Sequence, residues 1–330
     1  MIRSFLLLFL FLVVPASSVG AADKLIYGVF WEGCEHACKG FIEAIKSSGF
    51  PAKVVVRDAE QNKSKFKGFI AEARRMKADL MLTYGTSVTL GIAGRLENAG
   101  DKNYITEIPL VFMYVSDPFG SGIAKNFEKS GRHNITGTYN RVPEVVNIRT
   151  MQTIKPDFRH LGMIYNVNEN NSVNKVNEMS ELSREIGFSL TALKIDPASE
   201  GVPDPKLIPE RVRELADAGV DFIYLGSSSF LRLNADVFTS AAVANGLPIL
   251  SPYEELVRET EALVSIAARA KDVGRVAADQ ALRILRDGAT PGELPIARVT
   301  EFAYVVNMAV ARKLNTFPPI DILQVAETLD

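Results

Sequence analysis

The sequence predicts an α/β protein made of two doubly wound parallel-sheet lobes joined by a hinge. Three observations carry that expectation. Short apolar strands alternate with amphipathic helices from Asp23 onward; the alternation falls into two successive runs of similar length; and the C-terminal stretch adds elements that return to both runs. Strands separated by helices need crossover connections, and crossovers make neighbouring strands parallel.

The elements follow in order. Leu25 to Phe30 (LIYGVF) reads as a buried strand, followed by a helix from Glu35 to Ser47 that stops at Gly49. Val54 to Val56 is a strand, Lys63 to Met76 an amphipathic helix, and Asp79 to Tyr84 a strand ending at Gly85. A helix from Ser87 to Asn98, a strand from Pro109 to Val115, a short helix opened by Pro118 and a strand from Asn134 to Tyr139 complete the first run. The second run begins with helix Pro143–Ile154 and strand His160–Tyr165. It continues through helix 171–186, strand 189–195, helix 206–217, strand 221–225, helix 233–245 and strand 248–250. The tail supplies strand Ala262–Ala267, helix Asp272–Arg286, a strand over Ala297–Phe302 and a helix over Met308–Leu314. The division expected is 23–140 plus 253–290 for the first lobe and 141–252 plus 291–306 for the second, with 307–330 packing near the hinge.

Residues 1–22 read as a leader. Arg3 is followed by ten apolar residues, Phe5 to Val14, then Pro15 and small residues to Ala22. A membrane-spanning helix needs about 20 apolar residues, so the run fits a cleaved secretory signal, with cleavage after Ala22 and a periplasmic product. No cysteine lies near that point to take a lipid anchor.

Cleavage leaves 308 of the 330 residues, enough for two domains with their own cores. Arg3 is the only charge removed, so the formal charge moves from −2 to −3. A near-neutral chain carries no electrostatic footprint for nucleic acid or an anionic membrane. Cys34 and Cys38 are the only cysteines. Four apart on a helix, their Cα atoms stand about 6 Å from each other, within reach of a disulfide, and two buried thiols are the alternative. His36 lies between them, but Cys-x-His-x-Cys lacks a fourth ligand nearby, so no metal is expected. Gly-x-Ser-x-Gly, Gly-x-Gly-x-x-Gly and P-loop patterns are missing, and nothing in the chain asks for catalysis or a cofactor.

Open parallel sheets bind ligands at the carboxyl ends of their strands, which selects the candidates. Thr86 and Ser87 follow a strand and open a helix, where free amides and hydroxyls suit an anionic group; plain helix capping is the other reading. Ser116-Asp117-Pro118 has the same placement, with Asp117 either receiving a ligand ammonium or capping a proline-started helix. In the second lobe Tyr165, Asn170 and Asn171, and Ser227 and Ser228, offer amides and hydroxyls, which turn chemistry explains equally. Trp31, Tyr139 and Tyr253, with Phe30 and Tyr114, can form an aromatic wall or serve as lobe core.

The segment Val111 to Thr138 (VFMYVSDPFGSGIAKNFEKSGRHNITGT) resembles the ABC transporter substrate-binding family that includes the tryptophan- and tyrosine-binding proteins. The resemblance continues in Tyr84-Gly85-Thr86-Ser87, in Ile164-Tyr165-Asn166 with Asn170-Asn171-Ser172, and in Asn307, Ala311, Leu314, Pro318-Pro319 and Leu323. It covers nearly the whole mature chain. Trp31-Glu32-Gly33-Cys34-Glu35-His36 stands where the family often carries a His-Pro-Ala-Leu-Asp-like segment. The resemblance implies a type I periplasmic-binding-protein fold, hinge closure on a ligand resembling an amino acid, and delivery to an ABC permease in the inner membrane. The chain is expected to act as a monomer, and the alternative role is a periplasmic sensor that docks on a receptor.

Overall fold

A computed structural model describes residues 23–196 and 201–330; the expected leader lies outside them. The first sheet contains β1 (Lys24–Phe30), β2 (Ala52–Asp58), β3 (Leu80–Tyr84), β4 (Leu110–Met113), β5 (Ile135–Tyr139) and β11 (Ala297–Arg298). The second contains β6 (His160–Tyr165), β7 (Ser189–Lys194), β8 (Phe222–Tyr224), β9 (Ile249–Ser251), β10 (Val264–Ala267), β12 (Ala303–Asn307) and β13 (Glu327–Leu329). The first runs α1 (His36–Ser47), α2 (Phe66–Arg75) and α3 (Thr86–Ala93) between its strands. The second uses α4 (Glu144–Ile154), α5 (Asn170–Ile186), α6 (Ile208–Asp217), α7 (Ser229–Leu233), α8 (Ala235–Ala244) and α9 (Glu254–Glu259). Last come α10 (Ala270–Leu285), α11 (Met308–Leu314) and α12 (Ile320–Leu323).

Strand order is β11-β5-β4-β3-β1-β2 in one sheet and β13-β12-β10-β9-β8-β6-β7 in the other. All pairs are parallel except β10 with β12. Each lobe therefore repeats the order second, first, third, fourth, fifth. That arrangement reverses direction between β1 and β3 and between β6 and β8, and a crevice opens at such a point. The unbroken apolar strands follow from helices covering both faces. Along β1, Ile26 and Phe30 pack under α1 and α10, while Tyr27 and Val29 pack under α2 and α3.

Three segments cross between lobes: 139–144, 267–270 and 298–303. This corrects the expected division in two places. Residues 253–267 belong with the second sheet, because β10 pairs with β9 and α9 packs on that lobe's core. Residues 291–298 belong with the first sheet, because β11 pairs with β5. Of the strand expected over 297–302 only Ala297–Arg298 forms, as β11 of the first sheet; the chain then crosses, and β12 begins beyond that range, in the second sheet. The C-terminal α11 packs into the second core and β13 extends its sheet, while Glu327 reaches Arg269 at a crossing, 3.4 Å away.

Local chemistry sets several boundaries. The helix expected to run to Asn98 stops at Gly94, whose φ of +68° breaks it. The helix expected over 233–245 is broken at Asn234 into α7 and α8. Pro118 opens turns rather than a helix. Cys34 and Cys38 are bridged, with Cα atoms 5.1 Å apart, across the entry to α1.

Candidate functional site

Two adjoining cavities lie between the lobes, at the carboxyl ends of the strands flanking both reversal points. The first, about 30 Å³, is lined from one lobe by Trp31, Tyr84, Thr86, Ser87, Tyr114 and Ser116. From the other lobe come Asn171, Ser227, Ser229, Arg232 and Tyr253. The second, about 50 Å³, shares Tyr114, Ser116, Ser227 and Tyr253, and adds Arg141, Glu144, Asn147, Lys175 and Tyr224.

The fold aims these groups. Tyr84 ends β3, and Gly85 turns the chain into α3 with φ +86°. No side chain caps α3, and its first-turn residues Thr86, Ser87 and Val88 line the cavity. Thr86 is 3% exposed and its hydroxyl has no partner. Tyr114 follows β4 with φ +56°, a conformation disfavoured for a residue with a side chain. It stacks on Tyr84 with ring centroids 4.9 Å apart, forming one aromatic wall. Tyr253 sits opposite, beneath the Arg232 guanidinium. This end of the cleft has hydroxyls, an amide, a guanidinium and no lining carboxylate, which suits an acid group beside a ring.

The second cavity rests on a buried ion network. Glu144 is bonded by Lys175 and lies 3.2 Å from Arg141, while Glu178 pairs with both cations. Burial works to raise the Glu144 carboxyl, but Lys175 and Arg141 outweigh it and hold it below the ordinary carboxylate value. Asn147 donates to Glu144 at 3.0 Å; its own Oδ1 and the Arg141 Nε remain unpartnered.

The lobes touch across the cleft. Arg232 bonds Glu32 and, at 2.8 Å, Glu35 from the first lobe. Lys63 Nζ donates to the Asn168 carbonyl at 2.7 Å. Glu169 fixes the α7 end by accepting the Ser229 and Phe230 amides, each at 2.9 Å.

Seven expected residues therefore meet in the cleft: Trp31, Thr86, Ser87, Ser116, Asn171, Ser227 and Tyr253. Five line neither cavity. Asp117 accepts the Gly120 amide at 2.8 Å in a turn, and the proline-started helix it was expected to cap does not form. Tyr139 packs between Phe119 and Phe127 beside a groove of about 680 Å³ at the crossings, which shares Arg141 and Glu144 with the second cavity. Tyr165 is half-buried away from both cavities, and Asn170 is exposed at the start of α5. Ser228 caps α7, accepting the Leu231 amide at 3.3 Å. Tyr84, Arg232, Arg141, Glu144, Asn147, Lys175 and Tyr224 were not anticipated. Only Tyr84 carried a signal, as the last residue of a strand before a glycine.

Among the described residues no group of three His, Cys, Asp or Glu side chains is placed to hold a metal, and no helix is long and apolar enough to cross a membrane. A sequence model described as ABC transporter substrate binding protein matches residues 28–329.

The chain belongs to the ABC transporter substrate-binding protein family.

Members of this family bind solutes and are not enzymes. The substrate-binding protein described here is 22% identical over 285 residues to the tyrosine-binding protein of Clostridioides difficile (strain R20291), covering 85% of this chain and 77% of that one. It superposes with TM-score 0.78 on an ABC domain in complex with L-Trp from Streptococcus pneumonia, at 20% identity over 92% of this chain and all of the other. A conserved domain protein from Vibrio cholerae O1 biovar El Tor gives 0.81 at 19% identity, over 93% of this chain and all of the other. These likenesses support the type I periplasmic-binding-protein architecture of the substrate-binding protein.

Proposed function

We propose that this protein is the exported solute-binding component of an ABC importer, capturing an aromatic amino acid or a close analogue by closing its lobes. The carrying observation is the cleft itself. One lobe contributes the stacked Tyr84 and Tyr114 with the uncapped start of α3, and the other contributes Asn171, Ser227 and Tyr253. A ligand shifts a two-state equilibrium only by what it gains in one state over the other, and a cleft lined from both sides provides that difference. The relatives named for tyrosine and solved with L-Trp make the aromatic amino acids the first ligands to try. The closed form then presents its paired lobes to a membrane permease.

Thermal-shift and calorimetric titration of the mature protein with L-tyrosine and L-tryptophan test this reading. A ligand at 100 times its Kd adds about 2.7 kcal/mol of stability, a clear shift. Thr86→Ala removes a donor to an ionised group and should weaken binding about tenfold. Asp117→Ala, outside the cavities, should leave affinity unchanged. A protein that ignores both amino acids overturns the choice of ligand.

A further inference from the structure

We propose that Glu32 is a built-in competitor for the ligand's acid group: its carboxylate holds Arg232 across the closed cleft, and a ligand carboxylate takes its place. This rests on reading the cleft as the site for an aromatic amino acid. Arg232 is 7% exposed on α7 and lines the same cavity as Thr86 and Ser87. It is the only cation there. The groups around that end, the Thr86 hydroxyl and the first-turn amides of α3, are donors waiting for an acceptor.

In the closed arrangement Arg232 is occupied from behind. Glu32 and Glu35 of the first lobe bond its two terminal nitrogens, and Glu255 stands 3.9 Å away. Three carboxylates crowd one guanidinium. Glu32 bonds the guanidinium through Oε1, but its Oε2 is buried without a hydrogen-bond partner. An unsatisfied buried carboxylate oxygen offsets part of what the ion pair gains. Burial, with Glu35 and Glu169 adding to it and Arg232 opposing, pushes the Glu32 carboxyl up to about 7. A ligand carboxylate that meets Arg232 together with Thr86 and the α3 amides satisfies both of its oxygens, and it displaces Glu32 from the guanidinium.

Size supports the exchange. The two cavities measure about 30 and 50 Å³, whereas a cavity that admits benzene is about 150 Å³. An aromatic ligand therefore enters only by moving what now fills the cleft, and the Arg232–Glu32 bridge is the charged part of that filling. Glu32 is thus a competitor that a ligand carboxylate displaces from Arg232 and a ligand lacking one leaves in place.

The test is calorimetry with L-tyrosine and tyramine, which lacks the carboxylate. Glu32→Gln should tighten L-tyrosine about three- to tenfold and leave tyramine unchanged, and Arg232→Gln should weaken L-tyrosine tenfold or more. Glu32→Asp, which keeps the charge but shortens the reach, should tighten L-tyrosine in the same direction and serves if the glutamine variant folds poorly. Wild-type binding of L-tyrosine with either Glu32 variant unchanged or weaker overturns this proposal while the ligand reading stands. Wild-type protein that binds tyramine as tightly as L-tyrosine also overturns it. No wild-type binding of L-tyrosine or L-tryptophan overturns both.

Discussion

Tyr114 holds a backbone conformation that side chains rarely accept, and the ring stacked on Tyr84 is what the distortion delivers. Strain of this kind persists where the surroundings over-determine it, as at a binding wall. Glu32 is the second residue under tension. Its carboxyl, normally near 4.5, is raised by burial to about 7 despite Arg232. A carboxyl raised in the folded state adds stability below its unfolded value, and loses that contribution as pH rises through the folded one. Ligand-free wild type should therefore lose on the order of 2–3 kcal/mol relative to Glu32→Gln between pH 5 and pH 8. Urea denaturation of both proteins at the two pH values measures the difference, and parallel pH profiles contradict the assignment. Thr86 and Ser87 could be found in the sequence because a strand, a glycine and two hydroxyls adjoin one another. Glu32 and Arg232 could not, since they are 200 residues apart and only the fold joins them. Asp117 was ambiguous for a different reason: Asp before Pro suits a helix cap and a ligand contact equally well, and the structure places it in a turn.

Helices α1 and α10 show how one close contact holds a lobe together. α10 returns to the first lobe after the chain has built most of the second. Its buried face, with Val273, Ala277, Ala278 and Ala281, follows helical spacing and packs on Phe41 and Ile45 of α1. The backbones meet at glycines. A Cβ on Gly274 would lie 2.0 Å from the Ala37 carbonyl oxygen, and one on Gly40 2.5 Å from that of Lys271. Gly274→Ala therefore forces the helices apart, although alanine favours a helix. It should cost about 1–3 kcal/mol, the usual range for overpacking, as measured by denaturation. An unchanged or higher midpoint means that the helices separate freely. Helical periodicity made α10 readable in the sequence, but its partner was not. The same limit explains β11 and β12: apolar residues recur on both sides of Thr300 and Glu301, and only sheet pairing shows that the chain changes lobes between them.

Three segments cross between the lobes, residues 139–144, 267–270 and 298–303, and the closure proposed above would turn one lobe against the other about them. In this structure the lobes are linked by Arg232 with Glu32 and Glu35, by Lys63 on the Asn168 carbonyl and by Asn174 near Ser121. Arg232 carries the strongest of these links, since charge-assisted bonds away from solvent exceed neutral surface contacts. A bridge worth about 1.5–3 kcal/mol changes the closed-to-open ratio of the ligand-free protein by roughly 10- to 100-fold. Arg232→Gln should therefore enlarge the radius of gyration of the ligand-free protein in small-angle scattering, while Lys63→Ala, which breaks a single exposed bond, should enlarge it less. Saturating L-tyrosine should compact wild type and both variants toward one common value, because aromatic and hydroxyl contacts from both lobes then replace the bridge. Equal radii for ligand-free wild type and Arg232→Gln would mean that the bridge follows closure and does not drive it; Glu32 would then lose its role as the group a ligand must displace.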